Sequence, residues 1–167
     1  MAEKFVKDVT SIRDIGYSGV IKHIFADCLK KKIGLPVIVE PQPANLSEPH
    51  LRIMFIGFEF DEIHDVTGYD VEMLYTLKLH CLLTLLAYGD GPDSFLDSVI
   101  KVSFALQRLF SQPFTINTIA GYGITVEGKK RPGGQFFKNE EEGKKPYLFE
   151  ESYDVNLYMP YVEVKNE

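Results

Sequence analysis

From Met73 to Leu85 every second residue is apolar: Met73, Tyr75, Leu77, Leu79, Cys81, Leu83 and Leu85 share one parity, while Glu72, Thr76, Lys78, His80 and Thr84 take most of the other. Successive side chains of a strand point to opposite faces, so the run predicts a long β-strand with one face in a core. A one-residue slip would turn the whole apolar set to water, so the pattern fixes facing as well as conformation. Leu74, Leu82 and Leu86 interrupt the polar side and call for a neighbour at the strand's ends.

The other elements follow from the same kind of reading. Val20, Ile21, Ile24, Phe25, Cys28 and Leu29 recur at helical spacing and predict a helix between Ser11 and Ile33, with Ser11 or Ser18 as N-cap. Lys30, Lys31 and Lys32 complement its carbonyl end, and Gly34 with Pro36 stops it. Val37 to Glu40 predicts a short strand, closed by Pro41, Pro43 and Pro49. Leu51 to Ile63 predicts a longer strand with apolar residues on both parities, which implies that both faces are partly covered. Asp65 to Asp70, with Gly68, reads as a turn.

Gly89, Gly91 and Pro92 then introduce a helix running to about Ser111, with Phe95, Leu96, Val99, Ile100, Phe104, Leu106 and Phe110 as its apolar stripe. Asp90, Asp93 and Asp97 lie near its amide end, where negative charge is favourable and where they account for themselves as capping residues. Phe114 to Glu127 reads as one strand, in which Gly121 and Gly123 mark a bulge or a close backbone approach. Tyr147 to Met159 reads as another, and the two are expected to form an antiparallel hairpin. The order α-β-β-β-α-β-β predicts an α+β fold: a two-layer sandwich with an about five-stranded, largely antiparallel or mixed sheet and two helices on one face. No linker divides residues 1–167, so a single domain is expected, with 1–10 as an extended or mobile arm and 128–146 as a long hairpin loop.

Charge and motifs narrow the function. Eighteen basic against 24 acidic residues, a formal charge of −6, argue against broad phosphate-backbone binding. Cys28 and Cys81 sit in apolar patterns and read as core thiols of a reducing compartment. Met1 to Thr10 lacks the apolar core of a secretory signal, and Leu74 to Tyr88 is too short and too polar for a membrane span, so a cytosolic product is expected. His80 and Cys81 are neighbours on a strand and point to opposite faces, which rules out a Cys–His pair. Glu59, Asp61, Glu62, His64 and Asp65 are the densest group of ligand-type residues, but a solvated strand end explains them. Asp90, Asp93 and Asp97 lack the spacing and distal Glu of a calcium loop, and Gly128 to Gly134 lacks the Gly-Lys-Ser/Thr ending of a phosphate loop. The expectation is a protein without cofactor, metal or catalytic residues.

The segment 128–146 is the exception to this plainness. Lys129, Lys130 and Arg131 open it, Phe136 and Phe137 lie in its middle, and Glu140, Glu141 and Glu142 precede Lys144 and Lys145. Adjacent phenylalanines in a solvated loop need a cover, supplied either by their own domain or by a neighbouring subunit. Lys129, Lys130, Arg131, Phe136 and Phe137 are therefore the candidate subunit or partner interface.

An N-terminal helix, a short strand after Leu35-Pro36-Val37-Ile38, two long strands, the helix from Pro92 to Ser111 and a terminal hairpin ending in Tyr153-Asp154-Val155-Asn156-Leu157-Tyr158-Met159 together resemble the tail terminator, or tail completion, proteins of tailed phages and prophages. The resemblance runs from Ser11 to Met159 and rests on order and texture. It implies a structural protein whose copies form a ring, commonly a hexamer, on the tail tube, ending tube growth and offering a surface to the head-completion or connector protein. Its partners would be itself, the tube protein and the connector, with DNA only as cargo passing through. Its place would be the host cytoplasm during assembly and the virion tail afterwards.

Overall fold

The computed structural model describes residues 16–41, 48–64, 71–117, 123–140, 143 and 145–164. In chain order these form helix α1 (17–33), strands β1 (Val37–Val39), β2 (His50–His64) and β3 (Val71–Gly89), helix α2 (Pro92–Leu109), and strands β4 (Phe114–Asn117), β5 (Gly123–Lys130), β6 (Gln135–Lys138) and β7 (Tyr147–Val164). The fold is mixed α and β: two helices and one curled sheet in the order β1-β2-β3-β7-β5-β4, with β6 also on β7. β1 is parallel to β2, and every other pairing is antiparallel.

From Leu77 to Leu85 the expected alternation holds. Leu77, Leu79, Cys81, Leu83 and Leu85 are buried, and they join Val20, Phe25 and Leu29 of α1, Val99 and Leu106 of α2, and Tyr153, Val155 and Leu157 of β7 in a single core. Leu82, on the other parity, stands opposite Met54 of β2 and Asp154 of β7, so β3 has a neighbour on each side.

α1 begins at Tyr17 behind Gly16, whose φ of 84° suits glycine, and no side chain caps it. Ser18 lies inside the first turn and Ser11 outside the described residues, so the expected serine cap is corrected to a glycine entry. Its middle turn, Val20–Phe25, is π-helical, and the closing stretch Ala26–Ile33 ends where Gly34 turns left-handed and donates its N–H to the Lys30 carbonyl at 2.9 Å. α2 likewise starts from Gly91 with Pro92 in its first turn. Of the three aspartates only Asp93 falls in that turn, and none caps through its side chain.

Two expectations are corrected by pairing. The strand expected from Phe114 to Glu127 is a hairpin, because Phe114 stands opposite Val126 and Ile116 opposite Ile124. Both arms carry the same parity, so alternation alone runs through the reversal unchanged. The loop expected over 128–146 is in part strand: residues up to Lys130 belong to β5, and Gln135–Lys138 form β6 along the same strand, β7. Lys130 stands opposite Tyr153 and Gln135 opposite Glu150, so the chain bulges by two residues around Pro132 and Gly133 and then resumes pairing. The true connection is 139–146, closed by the Asn139 N–H donating to the Pro146 carbonyl at 2.7 Å. Proline and paired glycines interrupt a ladder without changing its course, and a sequence reading takes the interruption for a loop.

Candidate assembly surface

β2, β3 and β7 contain 15, 19 and 18 residues. At ~3.3 Å per residue such strands reach about 50–60 Å, whereas a helix the length of α1 or α2 reaches about 25 Å. Part of the sheet therefore extends beyond helical cover, and its apolar side chains mark where.

β2 shows this most clearly. Leu51, Ile53 and Phe55 stand opposite Leu85, Leu83 and Cys81, then a bulge at Ile56 sets Gly57 opposite His80 and brings Phe58 and Phe60 opposite Leu79 and Leu77. The extra residue moves the inward parity from odd to even, which is why both parities of this strand are apolar. Cover reaches only the first part of the strand. Leu51 and Ile53 are buried, but Phe55, Phe58 and Phe60 are 49%, 61% and 48% exposed, with Met54 and Ile56 exposed beside them. Phe55, Phe58 and Phe60 face a cavity of about 550 Å³ between the sheet and the first turns of α1, completed by Tyr17, Ile21 and Tyr161. Its aromatic wall is continuous: ring centroids lie 6.1 Å apart for Phe58 and Phe60, 5.5 Å for Phe60 and Tyr161, and 5.8 Å for Tyr17 and Tyr161.

The same stretch is a sheet edge. β1 pairs only with Leu51 to Ile53, and among the described residues no strand continues that pairing along Met54 and beyond. On the opposite side, β4 covers β5 only from Gly123 to Val126, leaving Glu127 to Lys130 and all of β6 without a further strand among the described residues. An uncovered apolar edge is a template for pairing with another chain.

α2 carries a second exposed row. Val99 and Leu106 are buried and Phe95, Val102 and Leu109 pack on the core, whereas Leu96, Ile100 and Phe104 project outward at four-residue spacing, Phe104 being 66% exposed. The single stripe expected for this helix is thus two: one faces the core, the other faces out.

The five residues singled out at 129–131 and 136–137 are divided by strand alternation. Phe136 turns inward against Phe95 and Phe149, with centroids 5.3 and 5.0 Å away, while Phe137 lies on the outer face and is 43% exposed. Lys129 is exposed. Arg131 clasps Asp154 through Nη2 at 2.9 Å and Nε at 3.0 Å, which raises its pKa further. Lys130 lies 3.6 Å from the buried carboxylate of Glu151.

Glu151 belongs to a polar cluster under α2. Its carboxylate accepts from the Ser103 hydroxyl at 2.8 Å and from the Tyr153 hydroxyl, and Gln107 donates to Ser103 at 3.0 Å. Burial, then the bond to Glu151, pushes the Tyr153 phenol well above its usual range. The sequence signal was present, since Glu151 shares the apolar parity of Phe149 and Tyr153. A buried carboxylate is tolerated where donors surround it, and here they do.

On the outer face, Glu59 is held by Lys78 at 3.2 Å and His80 at 3.3 Å, chiefly the Lys78 hydrogen bond lowering its pKa, and His80 Nδ1 lies 2.6 Å from Asn156 Oδ1. Asp61, Glu62 and His64 fall on β2 and Asp65 outside the described residues; among the described residues no three His, Cys, Asp or Glu side chains are grouped to hold a metal. Cys81 is buried on the face opposite His80, its thiol pushed up to about 12 by burial, and Cys28 is half-buried and also raised by burial. Among the described residues no helix is long and apolar enough to cross a membrane.

No family model and no curated protein matches this chain. One similar solved structure is 15% identical over 91% of this chain and 99% of that chain, with a TM-score of 0.44, a likeness too slight to carry an argument.

Proposed function

We propose that this chain is a structural ring subunit of a tailed phage or prophage, a tail terminator that caps the tube, stops its polymerisation and presents the head-joining surface. The observation that carries this reading is the strand edge at Met54 to Phe60, which no other strand covers among the described residues, with its exposed phenylalanines continuous with the aromatic cavity beside α1. Single exposed apolar residues are ordinary, but a contiguous patch on a bare strand is a surface made to be covered. We read the architecture as two layers, helices over a curled sheet, with subunit contacts made by sheet edges and by the outer row of α2. Copies around a ring need heterologous contacts, so each subunit must offer two different surfaces, and the two sheet edges are different. The test is deletion of the gene from its phage: normal tail length and normal head joining would refute the reading, whereas overlong or headless tails are expected.

A second reading is favoured by the cavity alone. A volume of about 550 Å³ with an aromatic lining suits a small apolar ligand. Titration with an apolar fluorescent probe, repeated on Phe58→Lys, tests it: saturable binding lost in the variant supports a ligand site, and no binding by the native chain excludes it.

A further inference from the structure

We infer that copies of this chain join edge to edge, the β2 edge of one subunit receiving the β5–β6 edge of the next as an antiparallel extension of its sheet. The inference rests on the ring reading above and names the junction that reading requires.

Direction comes first. β2, β3, β7 and β5–β6 run alternately down and up the sheet, since each adjacent pair is antiparallel. Carrying the sheet forward by rotation alone sets β5–β6 of one copy beside β2 of the next with that alternation unbroken, the sense antiparallel hydrogen bonding requires. A β2-to-β2 contact would leave the other edge bare in both copies.

Length and charge agree. The two uncovered stretches, 54–64 and 127–138, are of similar length, about 35–40 Å at ~3.3 Å per residue. The first carries Asp61 and Glu62 on its later half, beside a Glu59 already held by Lys78, and the second carries Lys129 on its earlier half, beside a Lys130 and an Arg131 already met by Glu151 and Asp154 of their own subunit. Antiparallel alignment brings those halves together, acidic beside basic, and places Phe137 at the end where Met54 and Phe55 are exposed. Parallel alignment would separate the charges. Opposed edges of opposite sign select a different edge as partner and disfavour like edges.

Area is also sufficient. The exposed side chains from Met54 to Phe60 present roughly 500 Å² of apolar surface at ordinary residue sizes, comparable to the about 450 Å² of apolar area in a standard interface of ~800 Å² per partner. The bulge at Ile56 and the register shift between Phe60 and Ile63 interrupt the first edge twice, and the bulge at Pro132 interrupts the second, so pairing is expected in short ladders rather than one continuous one.

The experiment is a charge-reversal exchange on the full chain, read by sedimentation and light scattering. One variant carries Lys129→Glu with Arg131→Glu, the other Asp61→Lys with Glu62→Lys. Each alone should associate at least tenfold more weakly than the native chain, and an equimolar mixture should recover assembly because both junctions become complementary again. A native chain that stays monomeric, variants that assemble like it, or a mixture that stays dissociated would overturn the inference. If either variant melts far below the native chain, the native chain's own association is measured at low and high salt instead; tenfold weakening supports a charged junction, and indifference to salt refutes it. Assembly that obeys the exchange but yields open filaments instead of closed rings would sink the terminator reading while leaving the junction standing.

Discussion

Gly128→Ala probes the tightest backbone-to-ring contact at the β5 side of the core. A methyl group built on Gly128 would lie 2.2 Å from Cδ1 of Phe110 and 2.5 Å from its Cγ. Ordinary carbon contacts begin near ~3.5 Å, so ring and strand must part by about 1 Å. Phe110 is only 8% exposed and contacts Tyr153 and Phe114, with centroids at 5.4 and 6.1 Å, so the ring has little room to withdraw. Overpacking of this kind costs about 1–3 kcal/mol, offset in part by the ~0.4–1 kcal/mol gained when the unfolded chain loses a glycine. The net expectation is a loss of about 1–2 kcal/mol, a Tm fall of ~2–8 °C for a chain this size. Phe110→Ala alone should cost about 3–5 kcal/mol and leave a void against Gly128. In that background the added methyl has space to fill, so Gly128→Ala should become neutral or stabilising. Urea melts of the four proteins complete the cycle. An equal penalty for Gly128→Ala with and without the Phe110 ring would refute the close-approach argument.

Other outcomes follow from particular contacts. Phe136→Ala should lower stability by about 2–3 kcal/mol in thermal melts because it empties a site between Phe95 and Phe149, whereas Phe137→Ala should change it by less than about 1 kcal/mol. Glu151→Ala should cost about 2–4 kcal/mol in denaturant melts, since it strands the Tyr153 and Ser103 hydroxyls under α2, and Glu151→Gln should cost less. The folded Cys81 thiol titrates at about 12 against an ordinary 9.0, so the native state holds that proton more tightly than the unfolded chain. Its contribution is complete below about pH 9 and is lost as pH rises toward 12, up to about 4 kcal/mol, with Tyr153 adding to the decline above about pH 10. Urea midpoints across this range should fall with pH, and Cys81→Ala should flatten the first part of the fall. A thiol reagent should label Cys28 well before Cys81 in the native chain, and equal rates would contradict the burial of Cys81.

Parity and helical spacing were enough to place α1, β3, α2 and β7 and to assign Cys81 inward and His80 outward, because those patterns depend only on local geometry. They also put Glu151 on the buried side, although the sequence could not say that Ser103, forty-eight positions away, would donate to it. Three things were settled only when strands met. Phe114 to Val126 keeps one parity through a chain reversal, so whether it is one strand or two depends on pairing. Residues 128–138 look like a loop because Pro132 and Gly133 halt hydrogen bonding, yet β7 on one side holds both halves in line. On β2 the bulge at Ile56 turns Phe58 and Phe60 to the inner face, where they stay half exposed beside the first turns of α1. Alternation along one strand is written in the strand itself, whereas cover, register and edges are properties of its neighbours, and those come from distant parts of the chain or from another molecule.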